Sequence, residues 1–196
     1  INYKKNASLE AQLASISDDI AYNSHDLEDG LRANLYKIED LKNIPILSKI
    51  INKHKKFIKT KGSELMIRQV IRDIINEMVK DVITNTQKNI KENKIRNFKD
   101  VCNNENLLVN FSKEMNYFDI TIKSFLKKNM YLSTNVLKKT NMGKKIINFL
   151  FLKIKKNPSR FINNSIYKKN NYERNICDFI AGMTDRYAIN LYNSLK

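Results

Sequence analysis

Apolar residues recur along this chain at three- and four-residue steps, a rhythm that predicts helices almost throughout. Leu9, Leu13, Ile16, Ile20, Leu27 and Leu31 keep the spacing over a first helix from about Ser8 to Leu35. Gly30 within it is tolerable at ~1 kcal/mol relative to alanine. A short helix is expected over Ile38 to Asn43, and Pro45 restarts the chain at an allowed first-turn position. Lys53 to Lys61 reads as a lysine-rich connector ending before Gly62. Ser63 and Glu64 then open the longest apolar stripe, running from Leu65 and Met66 through Val70, Ile74 and Met78 to Ile83. Asn85 to Asn106 reads as its fading end and a polar loop, and Leu107 to Val109 as a short extended piece. Ser112 caps a helix that turns Met115, Phe118, Ile122, Phe125 and Leu126 inward. Further helices are expected over Tyr131 to Lys139, Met142 to Lys156 and Tyr172 to Leu195, with Asn157-Pro158 ending the second of these. No run alternates convincingly as a strand. The pattern predicts one all-α domain over 1–196, its helices joined by basic loops.

Composition supports this without changing it. The 196 residues are 42% hydrophobic, enough for a core, and two prolines with four glycines leave few breaks. The net charge of +16 would attract nucleotides, nucleic acid or an anionic membrane. Lysine outnumbers arginine 29 to 7, however, and asparagine reaches 28 against 7 alanines. An AT-rich genome imposes that skew on any surface, so much of the basicity reads as codon bias. Cys102 and Cys177 stand far apart with no third partner, which argues against a zinc site or a disulfide scaffold and for a reducing compartment. The longest apolar patch, around Ile146 to Leu152, falls far short of the ~20 residues of a membrane span. No signal peptide is visible in Ile1-Asn2-Tyr3-Lys4-Lys5. A cytoplasmic protein is expected, and a start at Ile rather than Met suggests a partial translation product.

Candidate chemistry gathers in the first helix, where five carboxylates fall within the twelve residues from Asp18 to Asp29. Asp18, Tyr22 and Asp26 stand at i, i+4 and i+8, on one slowly drifting stripe spread over roughly 12 Å. The stripe is either an ordinary solvated acidic face or a presentation of metal-binding oxygen, phosphate donor and sugar acceptor to one long ligand. His25 lies about 100° around the helix from Asp26, where it reads as a surface or packing residue. His54 sits among lysines and reads as solvated.

Two segments together resemble a known family. One comprises Ser8-Leu9-Glu10-Ala11-Gln12, Asp18-Asp19-Ile20-Ala21-Tyr22 and His25-Asp26-Leu27-Glu28-Asp29-Gly30-Leu31-Arg32. The other is Cys177-Asp178-Phe179-Ile180-Ala181-Gly182-Met183-Thr184-Asp185-Arg186-Tyr187-Ala188. Both are similar to the dGTPase-like deoxynucleoside triphosphate triphosphohydrolases of the HD-domain superfamily, and Phe111 to Met115 and Ser124 to Leu126 match in order between them. The resemblance covers nearly the whole chain but only the C-terminal half of a typical member. It implies an irregular multi-helix HD-domain-like bundle, incomplete at its N-terminal side. It also implies hydrolysis of a dNTP to deoxynucleoside and triphosphate by water activated at a divalent metal of Mg or Mn type. On this resemblance Asp18 matches a metal ligand, Tyr22 a triphosphate contact and Asp26 the acceptor of the ribose 3′-OH. Family members commonly form homo-oligomers.

The departures are as informative. The family's first histidine and its His-Asp pair have no counterpart here, and His25-Asp26 only mimics that pair, because Asp26 matches the sugar position. A single aspartate cannot hold a metal that needs roughly three or four protein ligands, so no catalytic set is complete and the chain alone is expected to be inactive. In the C-terminal segment, Gly182 is expected to permit close helix approach, and Asp178, Asp185 and Arg186 to form a structural ion-pair network. The competing reading is a non-catalytic basic helical module that binds nucleic acid, weakly and single-stranded, or a partner subunit, with no membrane role.

Overall fold

The computed structural model describes residues 5–61, 63–162 and 171–196; the side chains of 55–61 and 63 lie outside that description, as does Gly62, the expected boundary. All regular structure among the described residues is helical. The chain, read above as one domain, forms two compact units, 1–133 and 134–196, each with its own core.

In unit 1, α1 (Leu9–Arg32) starts where Ser8 Oγ accepts the Ala11 amide at 3.2 Å. It packs on α3 (Ser63–Glu92) and α5 (Lys113–Leu126), while α2 (Pro45–Lys61) lies along α3 after a 3₁₀ turn over Ile38–Asn43. Ile20, Leu27, Leu47, Ile51, Val70, Ile74, Met78, Phe118 and Ile122 share one core. Ser112 caps α5 as its sequence predicts, accepting the Met115 amide. The expected extended piece at Leu107 to Val109 is no strand: the Leu108 and Val109 amides both donate to the buried Oε1 of Gln12, at 2.9 and 3.1 Å.

Two boundaries differ from expectation because a polar residue takes an inward position, and two more because the chain forms short helical pieces of its own. Lys53 to Lys61 is no connector but the end of α2, whose stripe Leu47, Ile50, Ile51 is continued by a buried His54. α3 does not fade at Asn85 but runs to Glu92, because Asn85 and Asn89 carry its inward stripe onward and donate to Asn110 and Leu108. Within the expected loop after it, α4 (Phe98–Asn103) is capped by Asn97 and Asp100. After α5 the chain tightens into a π turn over Lys127–Tyr131, so Tyr131 closes that helix instead of opening the next.

Unit 2 is built on α6 (Thr134–Lys156), one continuous helix where two were expected. The expected break at Thr140–Asn141 does not form, and Gly143, in open space, does not interrupt the helix either. Conversely, the single helix expected from Tyr172 to Leu195 is two, α7 (Tyr172–Ala181) and α8 (Asp185–Leu195). Thr184 supplies the missed signal: its Oγ1 accepts the Tyr187 amide and restarts the helix. Ile146, Leu150, Ile154, Ile162, Ile176 and Tyr192 fill this second core. No helix among the described residues is long and apolar enough to cross a membrane.

Candidate functional site on the outer stripe of α1

The core face of α1 is set by Ile20, Leu27 and Leu31, which lie within roughly 40° of one another around its axis. Asp18 falls almost opposite and is exposed. Each four-residue step advances the stripe by roughly 40°, so Tyr22 remains 64% exposed while Asp26 reaches the half-buried flank beside α5. The three side chains thus share one face at graded depth, open to solvent at Asp18. His25 is exposed, as its azimuth predicts.

Asp26 is the member of the stripe that the fold holds. Tyr131, 105 residues on, donates its phenol hydrogen to Asp26 Oδ2. Burial, with Asp26 accepting that hydrogen, pushes the Tyr131 phenol up to about 12. Tyr36 meets the same turn from inside, its hydroxyl 3.2 Å from the Asp26 carbonyl and 3.1 Å from that of Leu27. Its ring stands edge-on to Phe125 of α5 at 4.9 Å. Burial, reinforced by the nearby Asp26 charge, holds the Tyr36 phenol far above its ordinary value. Gly30 makes this possible, since a Cβ there would stand 2.2 Å from the Tyr36 hydroxyl oxygen.

One turn earlier, a polar cluster locks α1 to α5. Asn23 donates to the buried Asp119 at 2.7 Å, and Lys123 reaches Asp119 at 2.8 Å and Asp19 at 3.2 Å. Neither Tyr131 nor this cluster is legible in the sequence, because these partners of α1 lie about a hundred residues away and follow no motif.

His54 corrects the sequence reading outright. It is 6% exposed, and its Nε2 lies 2.9 Å from Asp73 Oδ2, which also receives Lys53 at 2.9 Å. The Lys53 ammonium, against the opposing pull of burial and with help from His54, holds the Asp73 carboxyl below the usual range. A groove of about 490 Å³ opens beside this pair, lined by α2, α3 and the start of α5, and Asp18, Tyr22 and Asp26 are not among its walls.

In the C-terminal segment Asp178 pairs with Arg174 at 2.8 Å, and among the described residues neither Asp185 nor Arg186 makes an ion pair. The expected network is absent because the break at Gly182 to Thr184 divides it. Nor does Gly182 serve close helix approach: a Cβ there would meet only carbonyls of its own helix, at 3.5 and 3.7 Å.

The helical build is consistent with the phosphohydrolase class, and residues 109–194 match the family model described as phosphohydrolase-associated domain. Whole-chain relatives narrow this further. A deoxyguanosinetriphosphate triphosphohydrolase-like protein of Pelagibacter ubique is 49% identical over 191 residues, covering 97% of this chain and 51% of the relative. Proteins of the same name from Bartonella henselae and Leptospira interrogans are each 34% identical over 96% of the chain, which covers 48% and 51% of them. Along nearly its whole length the chain is therefore a relative of the deoxyguanosinetriphosphate triphosphohydrolase-like proteins. It spans about half the length of the curated relatives it matches.

Proposed function

We propose that the chain contributes one wall of a deoxynucleoside triphosphate triphosphohydrolase site, with Asp26 accepting the 3′-OH of the sugar and Tyr22 meeting the triphosphate. The observation that carries this reading is the pair of tyrosines on Asp26. Tyr131 occupies one carboxylate oxygen and Tyr36 fixes the backbone, so the carboxylate presents its remaining acceptor capacity in a set direction. A merely solvated acidic face needs no such support.

Asp18 stands at the far end of the stripe as the oxygen ligand for a divalent metal. The residues in hand do not fit a complete metal centre: among the described residues no group of three or more His, Cys, Asp or Glu side chains could hold an ion. The chain alone is expected to release no triphosphate from dGTP with Mg or Mn present. Metal-dependent turnover above buffer would refute the incomplete site. Equilibrium dialysis of labelled dGTP tests the wall itself: Asp26→Asn should weaken retention about ten-fold, the scale of one charged hydrogen bond. Equal retention by both proteins would remove Asp26 from the sugar.

A further inference from the structure

The outer side of α1 is hostile to the ligand proposed for it. Asp18, Asp19 and Asp26 lie within roughly 100° of one another around the helix, and a triphosphate brought to Tyr22 among them meets like charge. α1 itself offers no remedy. Its one lysine or arginine is Arg32, which pairs with Glu28, roughly 160° around the helix from Asp26.

A cation does stand there, and α5 supplies it. Lys123 reaches Asp19 Oδ2 at 3.2 Å across 104 positions of sequence. Asp19 precedes Tyr22 by three residues, so the two side chains are neighbours on the helix surface, roughly 5–6 Å apart at Cβ. The ammonium is therefore held about one side chain away from the phenol assigned to the triphosphate. Its two carboxylate partners are not alike. The Asp119 side chain is 7% exposed, and one of its oxygens accepts Asn23 at 2.7 Å while the other meets Lys123 at 2.8 Å, so this contact is built into the packing of α1 on α5. The Asp19 side chain is 57% exposed and meets Lys123 at the longer distance. An ammonium has three donors, of which these carboxylates take two. Burial works against the charge, yet the hydrogen bonds to Asp119 and Asp19 hold the Lys123 ammonium above its ordinary value.

We infer that Lys123 is the protein's cation for the triphosphate, anchored by Asp119 and exchanged from Asp19 onto a phosphate oxygen when a nucleotide lies along α1. This rests on the stripe being a nucleotide wall, and it adds the residue that offsets the acids of that wall. In the free protein Asp19 stands in for the phosphate and keeps the lysine aimed at the stripe. An exposed ion pair of this kind contributes little to stability, so a more highly charged oxyanion displaces the Asp19 carboxylate readily. Asp119 stays in place because Asn23 holds it from α1. The ammonium then meets the phosphate as a charged hydrogen-bond donor, a contact stronger than a neutral one.

The test is equilibrium dialysis of the full chain against labelled dGTP, inorganic triphosphate and deoxyguanosine in turn. Lys123→Gln should weaken dGTP and triphosphate about ten-fold, the scale of one charged contact, and leave deoxyguanosine within about two-fold. Asp19→Asn keeps the buried Asp119 pair and removes the competing anion, so it should tighten dGTP and triphosphate about three-fold. Lys123→Arg should retain both, with helicity checked by circular dichroism. A lysine that only ties α1 to α5 gives another pattern: Lys123→Gln and Asp19→Asn cut the same contact and would shift all three ligands in one direction. That result would overturn the inference, as would equal weakening of triphosphate by Lys99→Gln, a charge-matched change at an exposed lysine. Asp26→Asn separates the outcome from the sugar assignment. If it leaves dGTP unchanged while Lys123→Gln weakens it, the sugar assignment falls and the cation stands. If Asp26→Asn weakens dGTP and deoxyguanosine but Lys123→Gln leaves dGTP unchanged, the cation alone is lost.

Discussion

Gly30 shows how one absent methyl group shapes a candidate site. Its hydrogen leaves room for the Tyr36 ring on α1, where the phenol reaches two helix carbonyls and Phe125 ties the ring to α5. Gly30→Ala must displace that ring, at a cost of about 1–3 kcal/mol for overpacking. Tyr36→Phe keeps the ring and loses only the hydroxyl contacts, at about 0.5–1.5 kcal/mol. Urea denaturation should rank the two in that order. Ultraviolet titration of tyrosinate reads the neighbouring contact as well. Tyr131, raised by burial and by donating to Asp26, should ionise near pH 12 in the parent and lower in Gly30→Ala. The sign follows from linkage: a phenol raised on folding adds stability below its unfolded value near 10, and loses it as pH climbs toward 12. An unchanged titration in Gly30→Ala would show that Tyr36 does not set the Asp26 turn. The sequence marks Gly30 only as a weak helix residue; its reason lies in a ring six positions along, which no periodicity reveals.

Helix ends were legible where a cap announces them and illegible where a polar side chain occupies a core position. Ser8 and Ser112 mark their helices directly. His54, Asn85 and Asn89 look like the end of an apolar stripe, yet each continues it by finding a hydrogen-bond partner. The α2–α3 contact is the sharpest case, because Asp73 receives both Lys53 and a buried histidine. Asp73→Asn should destabilise the chain by about 1–3 kcal/mol, since a buried ring nitrogen loses its charged partner. With its carboxyl lowered by Lys53 and His54, Asp73 contributes stability that is complete above the ordinary carboxylate range and lost as pH falls through its own lowered value. Chemical denaturation from neutral pH to pH 3 should therefore show a steeper loss for the parent than for Asp73→Asn. Parallel pH profiles would remove this pair from the acid response.

Across the whole molecule the helical class and the α1 stripe were readable from spacing and motif, because both are local properties of a 3.6-residue period. The division into two units and the Tyr131 support of Asp26 were not, because they depend on which distant segments meet. Asp178 and Arg186 look like partners eight residues apart on one helix, and the break at Gly182 to Thr184 separates them.

α6 holds seven lysines between Thr134 and Lys156 and not one carboxylate. Lys155 is paired with Glu173 of α7, and the other six push against each other with no ion-pair partner among the described residues. Dissolved salt shortens the reach of that repulsion to about 8 Å at physiological strength. Ionic strength should thus act as a stabiliser here: the thermal midpoint followed by circular dichroism should rise between low and moderate sodium chloride, where an ordinary surface of mixed charges would show little change. A midpoint that falls would mean the lysines lie too far apart to strain the fold. If the midpoint rises, dilute buffer is the condition under which this protein is least firmly folded.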